Sequence, residues 1–163
     1  MQSLLVVYHS LTGGSLQMAQ AAAAGAAREG EVQVQLLAAA SADAAALLES
    51  AGYLFVCPEN LAALSGLMKD FFDRTYYAVL DRIQGRPYAT LICAGSDGTN
   101  SARQIERIAT GWRLRAIAPP LIVCTHAQTP EQILRPKQIP GSELARCDEI
   151  GATLAAGIAL GVF

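Results

Sequence analysis

Five short strand-like runs recur along this chain, all but the second, in which Gln33 and Gln35 alternate with apolar residues, nearly continuous in apolar side chains, and each is followed by a stretch of helical character. The runs are residues 4–8 (Leu-Leu-Val-Val-Tyr), 32–37, 53–57 (Tyr-Leu-Phe-Val-Cys), 88–94 and 121–124, the last extending back as far as Leu114. Strands that are apolar at every position, not at alternate ones, are buried on both faces, as in a parallel sheet covered by helices. The intervening segments fit. Residues 16–28 are Ala-rich and close at Gly30; residues 43–50 form a short helix. From Ser65 a long helix repeats Met68, Phe72, Thr75 and Val79 at helical spacing, with Lys69 and Asp73 paired on another face, and ends at Gly85-Arg86-Pro87. A fourth helix carries Ile105, Ile108, Ala109 and Trp112 on one stripe, and a last one spans residues 142–160. No hairpin signal separates any two runs, and the Pro-rich residues 129–141 read as a loop within the domain. The expectation is a three-layer α/β sandwich over residues 1–163, with five parallel strands in the order 2-1-3-4-5. Five strands are too few for an eight-stranded barrel.

Composition narrows the function classes. Of 163 residues, 52% are hydrophobic and 16% charged, against about 25% charged in a typical domain, so the chain has ample apolar surface to fold. Twelve Lys+Arg against fourteen Asp+Glu leave a net charge of −2, which argues against a nucleic-acid partner. The apolar run at residues 150–163 is broken by glycines and preceded by Arg146, Asp148 and Glu149; it is shorter than the roughly 17 residues that cross a bilayer. No membrane partner is expected. The first ten residues show no basic region ahead of an apolar core, so the expected compartment is the cytoplasm and the four cysteines are expected as thiols.

In an open parallel sheet, ligands sit beyond the carboxyl ends of the strands where the connections reverse, here between the first and third strands. The first loop reads Ser10-Leu11-Thr12-Gly13-Gly14-Ser15 between a strand and a helix. Hydroxyls and backbone N–H groups at a helix N-terminus can surround an anion. No lysine follows, and the glycines do not fit a dinucleotide fingerprint. The loop therefore suits a phosphate monoester held by donors alone, or else an ordinary turn in which Ser15 caps the helix. The second loop, Pro58-Glu59-Asn60-Leu61 and onward to Gly66, offers an amide beside small apolar groups; the third, Ala94-Gly95-Ser96-Asp97-Gly98 and onward to Asn100, is again small and polar. Three such loops at one edge favour a planar polar ligand between them.

These residues resemble a known group. Ser10-x-Thr12-Gly13-x-Ser15 is similar to the phosphate loop of flavodoxin-like proteins. Pro58-Glu59-Asn60 with Ser65-Gly66-x-Met68-Lys69-Asp70-Phe71-Phe72-Asp73-Arg74 resembles the second-loop signature of their NAD(P)H-dependent FMN reductase branch, and Cys93-Ala94-Gly95-Ser96-Asp97-Gly98 its third loop. The resemblance implies an FMN oxidoreductase, with phosphate on Ser10 to Ser15 and the ring against Pro58 to Leu61 and Ala94 to Gly98. NAD(P)H would donate and a small molecule (flavin or quinone) or a protein would accept. Many relatives place an aromatic residue in the second loop; here Leu61 and Ala62 stand there. Ring contacts then fall to aliphatic groups, to Tyr76 or Tyr77, or to a second subunit. The flavin carries the chemistry, so no side chain is assigned as catalytic and no metal is expected.

Two rival classes are an electron carrier of the flavodoxin type and a flavin-less binding module. Carriers usually present dense acidic rims, unlike a chain at −2. Phe71, Phe72, Tyr76 and Tyr77 are more aromatics than one buried stripe holds, which predicts an exposed patch and a homo-oligomer, a dimer first of all. Cys57, Cys93 and Cys124 end neighbouring strands ~4.8 Å apart and could converge, although core packing is the ordinary role of such residues. His9 and His126 follow the first and last strands. Asp70–Arg74 reads as a surface ion pair, and Arg103, Arg107, Arg113 and Arg115 as a solvated face.

Overall fold

The computed structural model describes residues 1–163. Its elements are β1 (Gln2–Tyr8), α1 (Gly14–Ala27), β2 (Val32–Ala38), α2 (Ala44–Glu49), β3 (Gly52–Asn60), β4 (Ala63–Leu64), α3 (Gly66–Val79), β5 (Pro87–Ala94), α4 (Thr99–Gly111), β6 (Arg115–Ala116), β7 (Leu121–Cys124), α5 (Pro130–Leu134) and α6 (Gly141–Leu160). The sheet runs β2-β1-β3-β5, with β6 and β7 both on the outer side of β5 and every one of these pairings parallel. β6 and β7 are two halves of the expected fifth strand. The Ile117 amide still donates to the Tyr88 carbonyl of β5 at 3.0 Å, but Pro119 and Pro120 follow, and proline cannot donate to a ladder, so pairing with β5 lapses over residues 118–120.

The doubly apolar strands are explained by two separate cores. Leu5, Val7, Tyr53, Phe55 and Cys57 face one side, where Phe71, Phe72 and Trp112 pack on them. Leu4, Val6, Leu54 and Val56 face the other, against Met18, Ala22, Leu154 and Ile158 of α1 and α6. Neighbouring positions thus enter opposite cores, and no position in the middle of β1 or β3 meets water. On the second face α1 and α6 touch backbone to backbone. A Cβ on Gly25 would run into the Asp148 carbonyl, and one on Gly151 into that of Ala22.

Three expectations need correction. A hairpin does exist: β4 pairs antiparallel with the end of β3, Glu59 opposite Leu64 and Asn60 opposite Ala63. Its two-residue turn is left-handed at both positions, Leu61 at φ 51° and Ala62 at φ 60°, the conformation for which Asn and Gly are the usual signals. Neither is present, which is why the sequence hid it. Residues 129–141 are not wholly loop, since α5 is closed by a capping box in which Thr129 and Gln132 each bond the other's backbone. The aromatic patch reduces to one residue: Phe71 and Phe72 are buried, Tyr76 stacks on Trp112, and only Tyr77 stands out, 83% exposed.

Candidate functional site

The first loop joins β1 to α1 at the carboxyl edge, between the ends of β1 and β3. Gly13 takes φ 95°, which only glycine adopts without strain, and turns the chain into the helix. The Ser10 hydroxyl accepts from the Gly13 amide at 3.0 Å and tightens the turn. The amides of Leu11, Thr12, Gly14, Ser15 and Leu16 donate to no acceptor in the chain. Ser15, 2% exposed, carries a buried hydroxyl with no partner. It is not the helix cap, because Gly13 holds that position without any side-chain bond. Gly14 is packed so closely that a Cβ there would sit 2.6 Å from the Cys93 sulfur. Of these residues Gly14 and Ser15 are buried, and a buried donor left open is costly in a fold that gains nothing from it. The open donors of the loop are the set that a phosphate dianion satisfies.

The second and third loops form one unit. The Glu59 carboxylate accepts from the Gly98 amide at 3.0 Å and faces the Ser101 amide and hydroxyl at 3.4 Å, closing the N-terminus of α4. The Asn100 side chain donates to the Ala62 carbonyl at 2.6 Å, and Gln104 accepts from the Leu64 amide at 2.8 Å. The left-handed hairpin is thus tied to α4 at three places. Its strain, roughly 1–2 kcal/mol per residue, persists because these bonds over-determine it. Leu61 at the tip is fully exposed, with an apolar face free for a planar ligand. In the third loop, Asp97 accepts from the Thr99 amide and hydroxyl, while the amides of Ser96 and Asp97 stay open. Glu59 and Gly98, expected against the ligand, bond to each other; Asn60, Leu61, Ser96 and Asp97 line the edge.

After β7 the chain crosses back over the first loop. His126 is left-handed at φ 60°, and α5 then leads to residues 135–139. The Lys137 amide donates to the Thr12 carbonyl at 2.9 Å. Gln17 clamps the crossing from below, giving its Nε2 to the Lys137 carbonyl at 2.7 Å and taking the Ile139 amide on Oε1 at 3.0 Å. A groove of about 400 Å³ opens beside this crossing, lined among others by His126, Gln132, Arg135 and Lys137. The Lys137 ammonium lies 3.5 Å from the Thr12 hydroxyl, so the first loop has a cation beside it after all. Sequence reading missed it because 125 positions separate the two residues.

The remaining residues take ordinary roles. Cys57 and Cys93 enter opposite cores, and Cys124 packs on the Cys57 side, so the three thiols do not converge. Burial pushes Cys57 and Cys147 up to about 12 and Cys93 to about 11, so none serves as a thiolate. His9 has an unpartnered buried Nδ1, and burial lowers its pKa, so it stays neutral at pH 7. No group of three or more metal-ligating side chains exists. Asp70 and Arg74 pair as expected, and the guanidinium also holds the Ala39 and Ala42 carbonyls. Arg113 pairs with Asp81, and Arg115 lies over the Phe163 ring. Tyr76 and Tyr77 belong to the C-terminal half of α3, at the opposite edge from these loops, and supply no contact there. No helix is long and apolar enough to cross a membrane.

No family model and no curated protein sequence matches this chain. Solved structures do. A flavodoxin from the domain Archaea shares 19% identity at a TM-score of 0.78, over 96% of this chain and 99% of its own. A WrbA-like flavodoxin from Agrobacterium tumefaciens shares 17% at 0.74, over 98% and 99%. The flavodiiron protein of Giardia intestinalis shares 16% at 0.79, over 99% of this chain but 37% of its own. The chain has the flavodoxin fold. Identities this low speak for architecture alone.

Proposed function

We propose that this chain binds FMN at the carboxyl edge and works as a redox flavoprotein, taking hydride from NADH or NADPH and passing electrons to a small acceptor, a flavin or a quinone. The observation that carries the reading is the set of five acceptor-less amides and one partnerless buried hydroxyl at the N-terminus of α1. It lies where a sheet of this order binds ligands. Bound there, the flavin would supply the hydride and electron chemistry. Thr12, Ser15 and the open amides would hold its phosphate. Leu61 would cover an apolar face of the ring, and the Ser96 and Asp97 amides would donate to its polar rim. Glu59 would act through α4, holding the second and third loops at a fixed spacing.

The test begins with FMN and riboflavin titrated separately against the whole chain. FMN should bind at least tenfold more tightly, since riboflavin lacks the phosphate; equal affinities would remove the loop from the argument. Thr12→Ala should cost FMN about 10- to 150-fold, the equivalent of one charge-assisted bond, and riboflavin almost nothing. Anaerobic NADPH should then bleach the bound flavin. A second reading, an electron carrier, is favoured by the end-to-end match with the archaeal flavodoxin. It predicts no bleaching by either nicotinamide while dithionite still reduces the flavin.

A further inference from the structure

We propose that Lys137, carried on the segment after α5, is the counter-ion of the phosphate subsite, so that the two ends of the chain close that subsite together. The inference rests on the flavin reading above and adds a residue that the local loop sequence does not contain. The ammonium donates to the carbonyls of Gln132, Ile133 and Arg135 at 2.8, 2.7 and 2.6 Å and lies 3.5 Å from the Thr12 hydroxyl. These carbonyls fix its position but leave its charge intact. None of the six ion pairs of the chain includes Lys137, so no carboxylate neutralises it.

Its placement is set by several independent anchors. The Thr129–Gln132 capping box shapes α5, the Lys137 amide is held by the Thr12 carbonyl, and Gln17 donates to the Lys137 carbonyl and accepts from the Ile139 amide. The stem of Lys137 lies against the loop itself: a Cβ on Gly14 would be 3.5 Å from that of Lys137. An unneutralised cation thus stands at the mouth of a loop whose amides, and whose buried Ser15 hydroxyl, lack acceptors. A lysine serving only to end a five-residue helix would not need to sit there. A cation held in place beside a phosphate adds its own Coulomb attraction to the N–H and O–H contacts that the phosphate makes.

The experiment compares FMN and riboflavin affinities of the whole chain for wild type, Lys137→Gln and Thr129→Ala, at low and high salt. Lys137→Gln keeps donors for the carbonyls and removes the charge; Thr129→Ala loosens α5 and keeps the charge. Expected for Lys137→Gln is a fall of about tenfold in the FMN-to-riboflavin ratio and a flatter salt dependence of FMN binding. Thr129→Ala, which disturbs the position of the ammonium but not its charge, should lower the ratio by clearly less than Lys137→Gln does. A wild-type ratio in Lys137→Gln overturns the inference, while the FMN preference of the wild type keeps the flavin reading standing. An equal fall in Thr129→Ala also overturns it, because order of the segment and not charge would then be responsible. Should Lys137→Gln not fold, the wild type decides. FMN affinity that weakens with salt while riboflavin's does not supports the proposal, and parallel slopes overturn it. A wild type without preference for FMN refutes both.

Discussion

At the amino edge of the sheet, one guanidinium nitrogen of Arg86 donates to the carbonyls of Leu47, Leu48 and Ser50 at 2.9, 2.9 and 2.6 Å and to the Tyr53 hydroxyl at 3.0 Å. Burial pushes that phenol up to about 12, against the weaker opposing pull of Arg86, so it stays protonated and donates to Leu47 at 2.7 Å. Ser3 and Ser50 bond to carbonyls of α2. At the carboxyl edge the same sheet leaves five amides of the first loop, the hydroxyls of Ser15 and Ser65 and the Nδ1 of His9 without partners. Left-handed residues follow the division too. Asp81 and Arg113 simply end α3 and α4 near the amino edge, whereas Leu61, Ala62 and His126 lie in the loops of the carboxyl edge. One edge saturates its polar groups with each other and so contributes stability. The other keeps a buried hydroxyl and several donors open, at some cost in stability, as the proposed ligand site requires.

The contrast can be broken most forcefully at Arg86. Arg86→Met leaves several carbonyls and a buried phenol without their charged donor. It should cost about 3 kcal/mol, a fall of roughly 6–12 °C in Tm for a domain of this size. The FMN-to-riboflavin ratio of the refolded protein should not change; a changed ratio would mean that the two edges are coupled. Ser15→Ala makes the opposite statement. Removing a buried hydroxyl that has no partner should leave the ligand-free protein as stable, or up to about 1 kcal/mol more stable. Yet it should weaken FMN by about 10- to 150-fold. A loss of stability in the ligand-free protein, seen as a lower urea midpoint, would mean that the hydroxyl serves the fold.

A smaller effect is expected in the hairpin. Ala62→Gly relieves one left-handed non-glycine residue and should raise stability by about 0.5–1 kcal/mol by denaturant titration. Flavin binding should loosen slightly as the hairpin gains freedom. The smallest effect belongs to the rim. The Arg28 guanidinium beside Asp148 holds that carboxylate below its ordinary pKa. Its contribution is therefore complete above the unfolded carboxylate range, near pH 4, and is lost as pH falls through the lower folded value. The guanidinium is largely in water and the carboxylate partly so, so screening keeps the pair weak and Asp148→Asn should flatten the acid limb of the stability curve only marginally. High salt should erase even that difference.

The fold was legible because doubly apolar strands have few architectures open to them. Runs such as residues 4–8 and 53–57 demand cover on both faces, and helices of 14 and 20 residues, α1 and α6, supply it on one of them. The position of the loop Ser10 to Ser15 between β1 and α1 was legible for a related reason. Hydroxyls, glycines and a helix start all lie within six consecutive residues, so the donor groups of that loop are encoded locally. The hairpin was not legible, because Leu61 and Ala62 adopt a conformation their residue types disfavour and are held there by Asn100 and Gln104, some forty positions away. Ser15 looked like a helix cap and proved to be an unpaired hydroxyl, a distinction made by backbone geometry at Gly13.

What the sequence determined by itself is whatever hydrophobic periodicity and local chain chemistry encode: two cores, strand order, and the loops that end at one edge. What only the tertiary structure decided is which distant groups meet there. Lys137 beside Thr12, and Glu59 on the N-terminus of α4, are contacts closed by the whole fold at once. A polar side chain's partner is fixed by distances of a few ångströms between remote segments. Composition and period carry no record of those distances, because only the packed backbone sets them.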